Sequence, residues 1–328
     1  MNRGKILSRL LVISILISMI FTTAGCGPKK PGTPTGVSTP PTADAKEAVL
    51  LLKFSKGRSD TYKSIMETER SVNFAGDITQ DKQFKSAKSG TRAEMVFQQQ
   101  TENVDPTGNA TIKVTITSLK YLSKSKDVIT LDYDSSNQQQ QSNPLTRLIG
   151  QSYTITMSPR GEVTGIGGLD QIKRSAAADA AAVQLISENL IRERHQIPAL
   201  VDANSKTLKV GDKWSVTRTL TFGILGSTSV EKIYTLKAIV QNKGRRTAMV
   251  EIMGVPATIQ EGLPSPKKFE SGNTYTGSLE LDLDSGKIEQ YSEKTTSEWL
   301  IADEKVTEGE LSVIKLSTTQ LNSLERLD

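Results

Sequence analysis

The sequence predicts a mainly β protein of the α+β kind. It is either one curved antiparallel sheet or two similar half-barrel sheets, with one long alanine-rich helix between the halves. Three observations predict this. Apolar and polar residues alternate with a period of two through most of the chain beyond residue 48. Residues 169–197 break that rhythm and place apolar residues at helical spacings instead. Aromatic residues make up only 5% of the 328 residues, which suits a polar-faced sheet better than a dense enzyme core. Alternation sends successive side chains to opposite faces of a half-buried strand, whereas spacings of three and four keep them on one helix face.

The chain opens "MNRGKILSRLLVISILISMIFTTAGC". Arg3, Lys5 and Arg9 form a positive start, and Leu10 to Phe21 form an apolar core interrupted by Ser14 and Ser18. That core is about 12 residues long, short of the roughly 20 that a spanning helix needs. With the small residues Thr23, Ala24 and Gly25 behind it, residues 1–25 read as an export signal peptide. The signal ends at Cys26, the only cysteine in the chain, which has no partner for an internal disulfide.

Ala24, Gly25 and Cys26 resemble the lipobox of bacterial lipoproteins, with Thr23 standing where that family usually has Leu. The resemblance implies cleavage before Cys26 and a diacylglycerol on its thiol. The chain would then be anchored to the cell membrane or outer membrane, facing the periplasm or exterior. Residues 26–47 supply the lipidated cysteine and a tether rich in Pro, Gly and Thr, a composition that stays extended and solvated.

Two sheet regions follow, 48–168 and 198–328. In the first, "AVLLLKF" is an apolar run, and "TYKSIMETERSVNF" offers Tyr62, Ile65 or Met66, Val72 and Phe74 to one buried face. "ATIKVTITSLKYL" points Ile112, Val114 and Ile116 one way and Thr111, Lys113, Thr115 and Thr117 the other. "DVITLDYD" sets Ile129, Leu131 and Tyr133 against Asp132 and Asp134. "SYTITMSPRGEVTGIGG" is a hairpin turning at Pro159, Arg160 and Gly161.

Residues 169–197 carry Ile172, Ala176, Val183, Ile186, Leu190 and Ile191 at helical intervals, with Pro198 just beyond. A single amphipathic helix of roughly 20 to 25 residues, covering a sheet, is expected. After it the alternation resumes, with "QEGLPSPKKFESGN", residues 260–273, as a long loop. Each half ends on a hairpin with a glycine at its bend, Gly161 and Gly286, which suggests a duplication. Met157 and Leu283 stand at even and odd offsets from those glycines, so a duplication needs hairpins of different lengths.

One further resemblance spans most of the sheet regions. Gly150, Gln151, Tyr153, Gly161 and Val163 fit a "G-Q-x-Y…G-x-V" hairpin, and Val210, Gly211, Asp212 and Trp214 fit a "V-G-D-x-W" strand start. These motifs resemble a family of bacterial envelope proteins of unknown function, the domain of unknown function numbered 6263. The resemblance implies a fold and no chemistry; a half-barrel like that of lipoprotein carriers is its implied shape.

The charges exclude one large class. The chain has 41 Lys and Arg against 36 Asp and Glu; removing Arg3, Lys5 and Arg9 leaves 38 against 36. Without a basic stripe, no nucleic-acid partner is expected. The single histidine, His195, falls at the end of the expected helix, where a donor meets unpaired carbonyls. One histidine and one lipidated cysteine supply no His/Cys zinc set, and there is no "GxSxG" elbow. "DLDSG", Asp282 to Gly286, reads as a hairpin turn and not a calcium loop. No catalytic residue, metal or cofactor is expected.

The function expected is therefore non-enzymatic: an envelope lipoprotein binding a partner protein or an apolar ligand on its curved sheet. The alternative is a surface hydrolase using Asp132, Asp134 or Glu298, which requires two of those carboxylates to converge in one cleft.

Overall fold

A computed structural model describes residues 46–75, 85–177, 179–221, 227–242, 244–258, 269–302 and 313–327. The expected signal peptide, Cys26, the tether as far as residue 45 and the loop segment 260–268 lie outside the described residues. Among the described residues, fourteen strands and four α-helices follow in chain order. They are β1 (Glu47–Val49), β2 (Ser59–Ala75), β3 (Ala87–Val104), β4 (Ala110–Ser125), β5 (Val128–Asp134), β6 (Ser152–Met157) and β7 (Val163–Gly167), then α1 (Leu169–Ala176), α2 (Ala180–Leu185), α3 (Glu188–His195) and α4 (Pro198–Ala203), then β8 (Thr207–Lys209), β9 (Lys213–Thr221), β10 (Ser227–Asn242), β11 (Arg245–Thr258), β12 (Phe269–Asp282), β13 (Lys287–Ala302) and β14 (Val313–Arg326).

Twelve strands form one antiparallel sheet in the order β7-β6-β4-β3-β2-β14-β13-β12-β11-β10-β9, with β5 paired to β4 beside β6. The first half of the chain steps outward from β2 to β7. The second half begins at the opposite edge, β9, and steps back until β14 pairs with β2 from Val313↔Ala75 to Arg326↔Tyr62. Of the two arrangements left open by the sequence, the single curved sheet is the one formed. A separate two-stranded sheet, β1 with β8, ties down the start of the described chain.

Within the strands the period-two pattern sorts residues as expected, with informative exceptions. Tyr62 and Ser64 of β2 are buried, and Met66, not Ile65, shares their parity. On β4, Ile112, Val114 and Ile116 are buried, and so are Leu119 and Tyr121, of opposite parity. The register with β3 pairs Val96 with Ser118 but Phe97 with Ile116, so a bulge resets the alternation between them. On β5 only Tyr133 is buried; Ile129 is 55% exposed, at an edge that covers only the far end of β4. Residues 269–273, expected in a loop, begin β12 instead.

The helix expected over 169–197 is three helices, and Pro198 opens a fourth as its first residue. Two side chains break it. Asp179 Oδ1 accepts from the Ala182 N–H at 2.7 Å, and Ser187 Oγ accepts from the Leu190 N–H at 3.4 Å. An N-cap satisfies an amide that has no intrahelical partner, and it does so only with its own backbone outside the helix. Both capping residues are extended, at φ −131° and −65°. Replacing Asp179 by Ala is expected to lower the unfolding free energy by about 1 kcal/mol, read from the urea midpoint at unchanged m; an unchanged midpoint would show the cap to be dispensable.

The helices lie on one face of the sheet, where Ile172, Leu185, Ile186, Ile191, Leu200 and Ala203 join one core with Phe97, Val114, Tyr153, Leu236 and Leu279. Their polar contacts reach both flanks. Asn322 Nδ2 of β14 donates to the Glu193 carbonyl at 2.7 Å, Trp214 Nε1 of β9 donates to the Ala199 carbonyl at 3.1 Å, and Arg192 donates to the Val163 carbonyl of β7. Thus the segment that connects the two sheet edges in sequence also packs between them.

A buried ionic cluster crosses the junction of the two halves. Asp60 of β2 meets Lys287 Nζ of β13 at 2.5 Å and Arg326 of β14 at 3.9 Å, and Arg326 also meets Glu289 at 2.8 Å. The Asp60, Lys287 and Arg326 side chains are each 8% exposed. Beside it, Gly286 has φ +64°, and a Cβ there would stand 2.4 Å from the Lys53 amide nitrogen, so the bend admits the incoming chain only as glycine.

Candidate functional site

Between α2, α3 and the inner face of the sheet lies a cleft of about 580 Å³. Its walls mix characters. Met66, Ala93, Leu185, Leu190 and Leu321 are apolar, Tyr121, Tyr275 and Tyr291 bring rings, and Lys232, Glu293 and Asn322 bring polar heads. Strand alternation delivers these side chains: Tyr291, Glu293 and Thr295 share one parity of β13, and Lys232 lies between Val230 and Tyr234 on β10.

Glu293 is the centre of the polar wall. Its Oε2 accepts from Lys232 Nζ at 3.1 Å and from the Tyr275 phenol. The Lys232 and Glu293 side chains are only 11% and 12% exposed. Lys232 Nζ also stands 4.3 Å from the centre of the Tyr275 ring, a cation–π position. Burial first, and the Glu293 charge second, hold the Tyr275 and Tyr291 phenols above the ordinary tyrosine range, so both keep their protons at neutral pH. Tyr234, raised by the same two causes, donates to Asp202 Oδ2 at 2.8 Å, and its ring stacks on Trp214 at 5.4 Å.

Two acceptors in this wall have no donor among the described residues. Glu293 Oε1 and Asn322 Oδ1 are both buried and receive no hydrogen bond. They belong to directly opposed residues of β13 and β14, whose Cβ atoms are spaced by roughly 4.5–5.5 Å in such pairs. The Asn322 amide is oriented by the Glu193 carbonyl, which accepts only; the NH₂ must face it and Oδ1 must face away. A buried acceptor without a donor costs about 1–3 kcal/mol; both oxygens are closed to solvent, and the Tyr291 phenol is a further hydrogen-bond partner of the Glu293 carboxylate.

His195 lies outside this cleft. It ends α3 as expected, but its imidazole is buried and does not serve the helix carbonyls. It bonds Tyr153 of β6 at 2.7 Å and Gln99 of β3 at 3.1 Å. Burial, reinforced by the neighbouring Arg194 guanidinium, pushes it well below the usual histidine range. Arg194 itself donates to the Tyr153 oxygen at 3.3 Å and to the Leu185 carbonyl at 3.0 Å.

The carboxylates proposed for hydrolysis do not converge. Asp134 Oδ1 is held by Ser136, and its Oδ2 pairs with Lys120 at 3.2 Å; Asp132 is exposed. Glu298 pairs with Lys315 at 3.0 Å on β13, with β14, β2, β3 and β4 between it and β5. Asp282 and Asp284 make a hairpin turn: Asp282 Oδ1 accepts from the amides of residues 284 and 285, and Asp284 binds Arg246. Among the described residues no group of three or more His, Cys, Asp or Glu could hold a metal ion. No described helix is long and apolar enough to cross a membrane.

Glu293, Lys232 and Asn322 were not singled out from the sequence. The available signal was parity. In "YSEKTTSEW" a carboxylate occupies the same face as Tyr291 and Trp299, and in "VEKIYTL" a lysine occupies the face of Val230, Tyr234 and Leu236.

Fold and cleft together define a mainly β protein whose antiparallel sheet carries a helix-covered cleft of mixed polarity. Residues 107–196 match the model of a family described as a family of unknown function, DUF6263. That stretch runs from the turn before β4 to just past α3 and includes Tyr153, Arg194 and His195. No curated protein matches the sequence. Among solved structures, one titled for lipid–protein interactions in lipovitellin is similar with a TM-score of 0.39 and 12% identity, over 84% of this chain and 26% of that one. The chain therefore spans about a quarter of the lipovitellin chain it matches. DynF, from the dynemicin biosynthesis pathway of Micromonospora chersina, is similar with a TM-score of 0.20 and 8% identity, over 90% and 94% of the two chains. Neither likeness bears on what this chain does.

Proposed function

We propose that this chain is a non-enzymatic binding protein of the bacterial envelope, anchored by a diacylglycerol on Cys26, whose cleft holds a small amphipathic molecule. The observation that carries the binding role is the cleft of about 580 Å³ between α2, α3 and the sheet. Ligand pockets typically measure about 300–1,000 Å³, with a few convergent polar groups in an otherwise apolar wall. The helices fill much of the sheet's inner face, so a purely apolar carrier is not the best reading. What they leave open has Leu185 and Leu190 on the helix side and the Lys232–Glu293 pair on the sheet side. The anchor rests on the lipobox resemblance of Ala24, Gly25 and Cys26 and on the positive, then apolar, stretch before it.

One measurement tests both parts. The protein is purified gently from its native host and weighed intact, first under native and then under denaturing conditions. The expected result is a chain beginning at Cys26 with a covalent lipid mass, plus a noncovalent mass that leaves on denaturation. A bare sulfur with residues 1–25 attached would refute the anchor. The absence of any releasable mass, together with no binding of added amphiphiles, would refute the cleft's role.

A further inference from the structure

The hairpin of β4 and β5 ends in residues that neither turn chemistry nor burial explains. Its turn, Lys126 and Asp127, holds both residues at positive φ, 49° and 67°. Such two-residue turns favour Asn or Asp followed by Gly, and a lysine there occupies a region that L side chains rarely adopt. Directly after it come Val128 and Ile129, 64% and 55% exposed, the two most exposed large apolar side chains among the described residues. Charge surrounds them. Ile129 lies opposite Lys124 on β4, Lys124 opposite Gly90 on β3, and Gly90 opposite Glu69 on β2. Beside this row stand Arg70, Lys88, Lys126 and Asp127, so four basic side chains face two acidic ones. Both acids are engaged by one residue: Glu69 pairs with Lys88 Nζ at 3.1 Å, and Asp127 Oδ2 accepts from the Lys88 amide at 3.3 Å. Arg70, Lys124 and Lys126 are exposed and have no carboxylate partner among the described residues.

Shape selects the partner. A stable protein interface buries about 800 Å² on each side, and a turn with two apolar side chains offers far less. A bilayer needs no complementary shape. It takes apolar side chains in below its head groups, and anionic head groups attract free lysines beside them. We propose that the tip of the β4–β5 hairpin is a docking point for an anionic lipid surface. Val128 and Ile129 enter the interface, and Arg70, Lys124 and Lys126 meet the head groups. None of these five residues lines the cleft, and the contact requires no lipid on Cys26.

The test uses the full chain with Cys26→Ser, which removes the lipidation site, and Ser125→Cys, which carries a polarity-sensitive fluorophore beside the turn. A second chain carries the same label at Gln241→Cys, at the end of β10. The vesicles are phosphatidylcholine alone or an equal mixture of phosphatidylcholine and phosphatidylglycerol. With the mixture, a blue shift is expected at residue 125 and none at residue 241. Val128→Ser with Ile129→Ser should abolish the shift, even in chains that still float with the vesicles through the apolar stretch of residues 1–25. The shift should be weaker by half or more on phosphatidylcholine alone, and Lys124→Glu with Lys126→Glu should bring the mixed-vesicle shift down to that level. Every changed side chain is exposed, so the variants should keep the parent's circular dichroism. No shift at residue 125, an equal shift at residue 241, or a shift that survives the serine pair overturns the docking point. Equal shifts on the two vesicles, unmoved by the glutamate pair, overturn its selection of an anionic surface. None of these outcomes alters the releasable mass or the covalent mass at Cys26, so this contact and the function proposed above fail separately.

Discussion

Replacing Asp60 by alanine should cost about 3–5 kcal/mol of unfolding free energy, more than any other single change at a charged residue considered for this chain. Asp60 sits between Lys287 and Arg326, and all three side chains are 8% exposed. Removing the carboxylate leaves Lys287 without its counter-ion and leaves Arg326 to Glu289 alone. The loss is dominated by stranding buried charge, not by the value of the pair itself. A contrast makes this testable. The Lys63–Glu325 pair also joins β2 to β14, at 2.6 Å, but its side chains are 29% and 49% exposed, and truncating Glu325 should cost no more than about 1 kcal/mol. Urea titrations of the two variants should differ widely in midpoint. If Asp60→Ala melts with Glu325→Ala, the cluster is hydrated and contributes nothing special.

The second large effect is a pH dependence set by His195. Its folded-state pKa lies well below the unfolded value because burial and Arg194 disfavour the imidazolium. Below the unfolded pKa of about 6.5, the unfolded chain takes up a proton that the folded chain refuses. Stability is therefore intact above pH 6.5 and falls as the pH drops through and below it, until the folded-state pKa is reached. The slope approaches about 1.4 kcal/mol per pH unit for one such group, or about 2 kcal/mol between pH 6.5 and 5. His195→Gln keeps a donor and an acceptor near Tyr153 and Gln99 but cannot titrate. Across that window its stability should be nearly flat while the parent chain loses ground. Parallel curves for the two proteins would show that some other group carries the acid sensitivity.

The sheet was legible in the sequence because alternation records burial on one face. Ile112, Val114, Ile116 and Tyr133 are buried as that pattern requires. The pattern fails where the backbone slips. The bulge opposite Val96 and Phe97 moves Leu119 and Tyr121 onto the face of Ile116, and no residue type announces it. The long helix failed for a different reason. Alanine propensity and apolar spacing both favoured continuity, yet Asp179 and Ser187 cap new helices, and a cap outweighs the propensity of its neighbours once packing rewards a change of direction. Strand order was not legible at all. That β14 lies beside β2 depends on a pairing across the whole domain, which local periodicity does not encode. The cleft follows from that pairing, because Glu293 and Asn322 meet only when β13 and β14 align. Paired candidates were sought among Asp132, Asp134 and Glu298, but the finished sheet puts the two aspartates on β5, with Asp132 exposed and Asp134 held by Ser136 and Lys120, and puts Glu298 on distant β13 with Lys315.

The seam between β2 and β14 has a consequence for assembly. Every other ladder in the large sheet joins strands near in sequence, so those hairpins can zip locally as the polypeptide emerges. The seam joins residues more than two hundred positions apart, and such closures are slow because the intervening loop must lose its freedom first. Until it shuts, β2 presents a 17-residue ladder of unpaired amides on one side. Pairing of β14 with β2 is thus the step that covers this adhesive rim.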